Sequence, residues 1–240
     1  MPRPHRLLPT LAALLLPGLA GAQPATRPGL APTEARQTVD IAIPPWSSLV
    51  RVQTEAGGRC TGVLIAPDRV LTAAHCLLAP ATGLVVLPSR THVLSGYERG
   101  EFREHVRGAA FTLGPAYVPA ARGPIGADWA VIRLATPLRD PFLPLAPLPA
   151  AGTQAMLGGW QRDRAHVLLA DTACRIEAPL RDAEGRLLLR HGCAATKGSS
   201  GGPLLVRQGE GWAVAGVASV ANLEARGGVA VAVAGLPLLP

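Results

Sequence analysis

Aromatic residues are scarce in this 240-residue chain: Phe, Tyr and Trp together make up 4%. A stacking platform for single-stranded nucleic acid needs several of them interleaved with basic residues, and no such stretch occurs. Lysine is nearly absent. Lys197 stands alone, so arginine supplies 22 of the 23 basic residues. Charged residues reach only 16% against 48% hydrophobic, which excludes a charge-rich disordered chain. Acidic residues number 16, leaving a formal charge of +7. The arginines are scattered, with no run of five. That pattern gives a generally basic surface and speaks against a nucleic-acid partner. Phosphate loops, calcium loops, C-x-x-C pairs and cofactor motifs are all missing, so no cofactor and no metal are expected.

What is plentiful is turn chemistry, with 27 glycines and 24 prolines. Such punctuation disfavours long helices and favours short strands joined by turns. Short apolar runs bounded by turn residues recur along the chain, among them Ser48–Gln53, Thr61–Ile65, Val70–Ala74 and Trp129–Leu134. A second set follows: Gln154–Gly158, Ala173–Ile176, Pro203–Arg207, Gly211–Ser219 and Gly228–Ala234. Between the sets, Pro137, Pro141, Pro144, Pro147 and Pro149 crowd one stretch that suits neither a helix nor a central strand. The division expected is an all-β chain with one unit over residues 46–136, a linker over 137–150 and a second unit over 151–240. Residues 23–45 are Pro-rich and read as an extension or propeptide.

Residues 1–22 have the anatomy of a signal peptide. Arg3, His5 and Arg6 form a positive start, Leu7 to Leu19 is apolar, and Ala20-Gly21-Ala22 ends in small residues. The stretch is short for a membrane span and carries Pro9 and Pro17. No later segment has spanning length, so a cleaved, exported product without membrane insertion is expected, either periplasmic or secreted. Four cysteines, Cys60, Cys76, Cys174 and Cys193, suit an oxidising compartment. An even count suggests two disulfides with three possible connectivities, of which local pairing is the simplest.

Three segments carry chemistry. Lys197-Gly198-Ser199-Ser200-Gly201-Gly202-Pro203 flanks serines with glycines, which allows a tight turn and can aim backbone N–H groups into a nest. Gly198, Ser200 and Gly202 also match G-x-S-x-G, the elbow of an α/β-hydrolase esterase. Thr72-Ala73-Ala74-His75-Cys76 places one histidine after a strand-like run, and Asp128-Trp129-Ala130-Val131 opens another run with one acid. Each alone has a bland reading: a flexible loop, a surface histidine, an acid at a strand start.

Together they resemble the trypsin-like (chymotrypsin-fold) serine peptidases. Residues 72–76 reproduce that family's T-A-A-H-C, residues 128–131 are similar to its D-[IL]-A-[LV], and residues 198–203 are similar to its G-D-S-G-G-P. The order His, Asp, Ser is the family's own, whereas α/β-hydrolases run Ser, Asp, His. The resemblance spans about residues 46–235. It is closest to bacterial glutamyl endopeptidase-like members, since Cys193 stands seven residues before Ser200, as in C-D-T-x-x-G-[NS]-S.

The resemblance implies two antiparallel six-stranded β-barrels with the site in the cleft between them. It implies Ser200 as nucleophile, His75 as general base and acid, Asp128 as the orienting carboxylate, and the N–H groups of Gly198 and Ser200 as oxyanion hole. It implies a Cys60–Cys76 disulfide beside the histidine, which leaves Cys174 with Cys193. Ala194, Ala195 and Thr196, with Ser219, Val220 and Ala221, are expected to line the primary pocket. Glutamyl endopeptidases carry a histidine just before the pocket serine, where this chain has Ala218, and no acid stands at 194–196 to select a cation. The expected preference is therefore an uncharged, small or apolar residue. Ser199 replaces the family's aspartate that pairs with a new N-terminus on activation, so that switch is expected to be absent. His92, His105, His166 and His191 read as solvated, and Glu224 as a loop acid. The expected product is a monomeric serine endopeptidase acting on protein or peptide substrates. A silent binding protein on the same fold is the rival reading.

Overall fold

Alternation of inward apolar and outward polar side chains drives the strands, and the computed structural model describes residues 1, 27–31 and 34–237. The candidate signal peptide beyond Met1 lies outside the described residues. Strand β1 (Gln37–Thr38) is short, and β2 (Leu49–Thr54), β3 (Arg59–Ala66) and β4 (Arg69–Thr72) follow as hairpins. Then come β5 (Thr91–Ser95), β6 (Glu104–Leu113) and β7 (Ala130–Leu134). These six strands after β1 close a barrel in the order β2-β3-β4-β7-β6-β5. In β6, Val106 and Gly108 are buried while Arg107 and Ala109 face water, the period-two pattern of a half-buried strand.

The second half supplies β8 (Gln154–Gly159), β9 (Leu169–Arg181), β10 (Leu187–His191), β11 (Pro203–Gln208), β12 (Gly211–Ala221) and β13 (Gly228–Ala232). Their order is β8-β9-β10-β13-β12-β11, and the β11–β8 pairing closes the ring. All pairings are antiparallel. The molecule is thus all-β, with two closed six-stranded antiparallel barrels. Only short 3₁₀ turns interrupt the strands among the described residues. Closure removes the open edges that would otherwise invite aggregation.

Two stretches differ from their sequence reading. The apolar run Ala173–Ile176 is part of one strand of 13 residues, β9, which bends from β8 to β10. Residues 34–45 do not stand apart from the body. Gln37 and Thr38 pair with Ala170 and Leu169 as an added edge strand, and Arg36 is buried. Proline counts could not reveal this, because the attachment is a two-residue ladder and one side chain. The Pro-rich stretch after β7 runs across both barrels: Leu143 N–H bonds to Leu64 O (3.0 Å) and Ala146 N–H to Val214 O (2.8 Å). Leu138, Leu143 and Ala146 are buried along it.

Two disulfides staple the barrels. Cys60–Cys76 joins β3 to the turn after β4, and Cys174–Cys193 joins β9 to the chain after β10.

Candidate active site

The first barrel contributes a histidine and an acid. Strand β4 ends at Thr72, and the 3₁₀ turn Ala74–Leu77 carries His75 away from it, with Cys76 locked to Cys60. Asp128 follows the turn Ile125–Ala127 and stands two residues before β7, the neighbour of β4 in the ladder. That adjacency brings the two together. His75 Nδ1 lies 2.7 Å from Asp128 Oδ2, and the His75 backbone N–H donates to Oδ1 at 2.9 Å.

A third donor comes from the other barrel. Ser219 Oγ, on β12, donates to Asp128 Oδ2. Burial disfavours the Asp128 carboxylate, which is 3% exposed, but the His75 ring, Ser219 and the His75 backbone outweigh it and hold its pKa below the ordinary aspartate value. A carboxylate so held stays ionised and fixes the Nδ1–H tautomer of the imidazole, leaving Nε2 free to accept a proton.

Ser200 sits in the loop from β10 to β11. Thr61 of β3 holds that loop across the interface: its N–H donates to Ser200 O (2.9 Å) and its hydroxyl to Gly198 O (3.0 Å). The Gly201 N–H donates to Ala218 O at 2.8 Å, one residue from Ser219. The Ser200 loop is therefore tied to the elements that carry His75, through Thr61 beside Cys60 and through Ala218 beside Ser219, which bonds Asp128. Among the described residues the N–H groups of Gly198 and Ser200 have no acceptor, so both are available to a ligand oxygen. Gly198 has φ +102°, and a Cβ there would come within 2.4 Å of Trp160 O. Only glycine suits that turn.

Beside Ser200 lies a cavity of about 260 Å³. Ala195, Thr196, Ser219, Val220 and Ala221 line it, as do Pro28, Ala218 and Lys197. Ala194 does not. It lies behind the wall, its N–H held by Asp171 Oδ2 at 2.7 Å. Among the described residues no carboxylate lines the cavity, and Glu224 is an exposed loop residue outside it. Ser199 turns away from solvent, its hydroxyl donating to Thr196 O at 2.7 Å.

His191 departs from its solvated reading. It is 3% exposed at the cavity floor, and Cys193 N–H donates to its Nδ1. Burial pushes its pKa down to about 4, only partly opposed by Asp171. Its place at the end of β10, packed by β13, was not visible in a lone histidine between Arg190 and Gly192.

The cavity wall also includes the start of the described chain. Gly29 N–H donates to Asn222 O (2.6 Å), while Gly29 O accepts from Ala195 N–H (3.3 Å) and Gly227 N–H (3.2 Å). Gly29 has φ +80°, and a Cβ there would lie 1.9 Å from Ala195 O. Further on, the Arg36 guanidinium donates to Glu34, to both Asp163 oxygens, and to Gln161 Oε1 at 2.7 Å. The same Gln161 oxygen accepts the Thr196 N–H at 2.8 Å. A buried arginine thus reaches the Ser200 loop through one amide.

His75, Cys60 and Cys76 also lie within 4.8 Å of one another. Both sulfurs are consumed in the disulfide and offer no thiolate to a metal.

Comparison with known proteins decides the family. A family model described as Trypsin matches residues 35–236. The chain belongs to the trypsin family. Its relatives include human serine protease 56 (Homo sapiens), 30% identical over 228 residues that cover 85% of this chain. This chain spans only 36% of that protein's length, and 29% of its mouse counterpart. Cat chymotrypsin-like elastase family member 1 (Felis catus) is 30% identical over 217 residues, covering 78% of this chain and 76% of that protein. Among solved structures, a Glu endopeptidase in complex with MPD aligns with TM-score 0.72 at 18% identity, over 85% of this chain and 93% of that one. Vibrio cholerae VesB protease aligns with TM-score 0.63 at 20% identity, over 82% and 63%. At such identities the two structures speak to the fold alone. A trypsin-like serine peptidase domain is what this chain carries.

Proposed function

We propose that this trypsin-family chain is an exported endopeptidase that cleaves peptide bonds through an acyl-enzyme on Ser200. The observation that carries the reading is the His75–Asp128 contact of 2.7 Å, backed by Ser219, a residue that lines the same cavity as Ser200.

A serine hydroxyl is a weak nucleophile until a base takes its proton. His75 Nε2 accepts that proton as Ser200 Oγ attacks the scissile carbonyl. Asp128 stabilises the imidazolium that forms. Negative charge developing on the carbonyl oxygen is met by the N–H groups of Gly198 and Ser200. Removing one such donor typically costs about 3 kcal/mol of transition-state stabilisation. His75 then passes its proton to the leaving amine. Water, activated by the same base, releases the acyl group and restores Ser200. Catalytic hydrogen bonds commonly tighten only when substrate is bound, so the serine–histidine bond belongs to the complex.

The neighbouring cavity supports an uncharged, small or apolar residue before the scissile bond. Ala195, Ala218, Val220 and Ala221 make its lining largely apolar, and among the described residues no carboxylate lines it to pair with arginine or lysine. Ser199, bonded to Thr196, has no charge to pair with a released N-terminus, which supports a site that forms without that switch. Two disulfides support export to an oxidising compartment by the leader at residues 1–22.

The test is covalent labelling of the purified processed protein by a fluorophosphonate, with Ser200→Ala and His75→Ala alongside, followed by a peptide-library profile. Labelling that both substitutions abolish is expected. A folded wild type that takes no label would support a silent binding protein instead. A profile dominated by Glu or by Arg and Lys would overturn the specificity.

A further inference from the structure

A second recess, of about 460 Å³, shares no lining residue with the cavity beside Ser200 and adjoins the Lys197–Gly198 backbone. Trp160 lines it, and the Trp160 carbonyl lies directly under Gly198. Arg162 lines it too, and its N–H donates to Lys197 O at 2.8 Å. Cys60 forms another part of the wall, and its sulfur is within 4.8 Å of a His75 ring nitrogen. The recess therefore begins beside His75, the group that hands its proton to the departing amine, and adjoins the Ser200 loop without sharing a lining residue with the acyl-side cavity. A peptide laid over Ser200 between the two openings would put the residues after its scissile bond here.

Three arginines line this recess: Arg51 from β2, Arg59 from β3 and Arg162 from the turn before β9. Among the described residues no carboxylate lines it. Among the described residues none of the three makes an ion pair, whereas Arg27, Arg36 and Arg164 nearby all do. Asp163, next to Arg162, is spent on Arg36 and Arg27.

Arg51 is the telling member. It is 4% exposed, yet among the described residues its fixed partners are Ala165 O, 2.7 Å from Nη1, and the face of Tyr97, 4.1 Å from the guanidinium carbon. Its Nε is buried with no acceptor. Burial, and the charge of Arg59 after it, work against the cation, but arginine stays ionised at any physiological pH. A buried cation without an anion is costly unless an anion arrives to pair with it.

We propose that this recess is a subsite for an acidic side chain of the substrate, one or two residues after the scissile bond. It rests on the peptidase reading of Ser200 and adds to it a substrate class: chains with Asp or Glu on the leaving side. A planar carboxylate matches the fork of a guanidinium, and bidentate pairing with Arg51 or Arg162 would reward a charged over a neutral isostere.

The experiment uses the processed protein and two sets of internally quenched peptides. Each set is identical except for Glu or Gln at the first or second position after the bond cleaved. The Glu peptide is expected to have at least tenfold higher kcat/KM, and 0.5 M NaCl is expected to shrink that ratio. In the surface variant Arg59→Gln with Arg162→Gln the Glu-to-Gln ratio is expected to fall to threefold or less. Binding of the same peptides to Ser200→Ala, read by fluorescence anisotropy, is expected to show the same order. Cleavage of Glu and Gln peptides within twofold of each other would overturn this subsite while leaving the peptidase reading intact. A ratio unchanged in the double variant would overturn it as well. If neither peptide is cut and the wild type takes no fluorophosphonate label, the peptidase reading fails and this one with it.

Discussion

Replacing Arg36 by alanine tests whether the segment before β1 is part of the catalytic domain or an appendage to it. The substitution strips Gln161 of a 2.7 Å donor and Asp163 of a fork at 2.8 and 3.1 Å. Both ends of the Arg36–Asp163 pair are buried, with 2% and 6% of their side chains exposed. Breaking a buried pair by removing one partner costs roughly 3–5 kcal/mol. The low end applies here, because Glu34 is 44% exposed and can turn to water, and Asp163 keeps Arg27. A loss of about 3 kcal/mol lowers the melting temperature of a domain this size by roughly 6–12 °C. Calorimetry on wild type, Arg36→Ala, Asp163→Asn and the double variant measures it, and the cycle should show coupling of at least about 1 kcal/mol. Because Gln161 also fixes the Thr196 N–H, fluorophosphonate labelling of Ser200 should slow about tenfold, equal to about 1.4 kcal/mol of transition-state stabilisation. Arg36→Lys keeps the charge without the fork and should recover only part of both. A melting temperature within about 2 °C of wild type, or additive single effects, would refute the reasoning.

His191 makes stability fall on the acid side. Its folded pKa of about 4 lies below the unfolded value near 6.5, so the unfolded chain binds the proton more tightly. Stability should drop as pH falls from about 6.5 towards 4, by about 3 kcal/mol in all; denaturant midpoints at pH 7 and 4.5 read this, and His191→Gln should flatten the difference. Ser219→Ala removes a donor from Asp128 and nothing from the peptide backbone. Its kcat should fall about three- to tenfold with little change in KM, since the loss of about 1 kcal/mol falls on the imidazolium and not on substrate contacts. A change confined to KM would contradict that role.

The His75, Asp128 and Ser200 motifs were legible because each is local: a few residues of fixed type around a turn. Strand-rich architecture was legible for the same reason, through Gly and Pro punctuation and period-two runs. The number and closure of the barrels came from resemblance, since register is set by partners distant in sequence. What stayed hidden is equally instructive. The sequence places Ser219 in the pocket lining, while its hydroxyl reaches Asp128 from the other barrel. Arg36 sits among prolines and polar residues with no periodicity, and only its distant partners Gln161 and Asp163 give it meaning. His191 looked solvated because burial on a barrel floor depends on β13, which lies later in the chain.

The lone lysine of the chain, Lys197, is exposed at the mouth of the cavity beside Ser200 and next to Gly198. A chain with 22 arginines and one ε-amine offers amine-directed reagents a single side-chain address. A dye or a tether attached there would stand at the rim of the cleft. It could report on occupancy by a peptide without any engineered cysteine, which the two disulfides would otherwise put at risk of exchange.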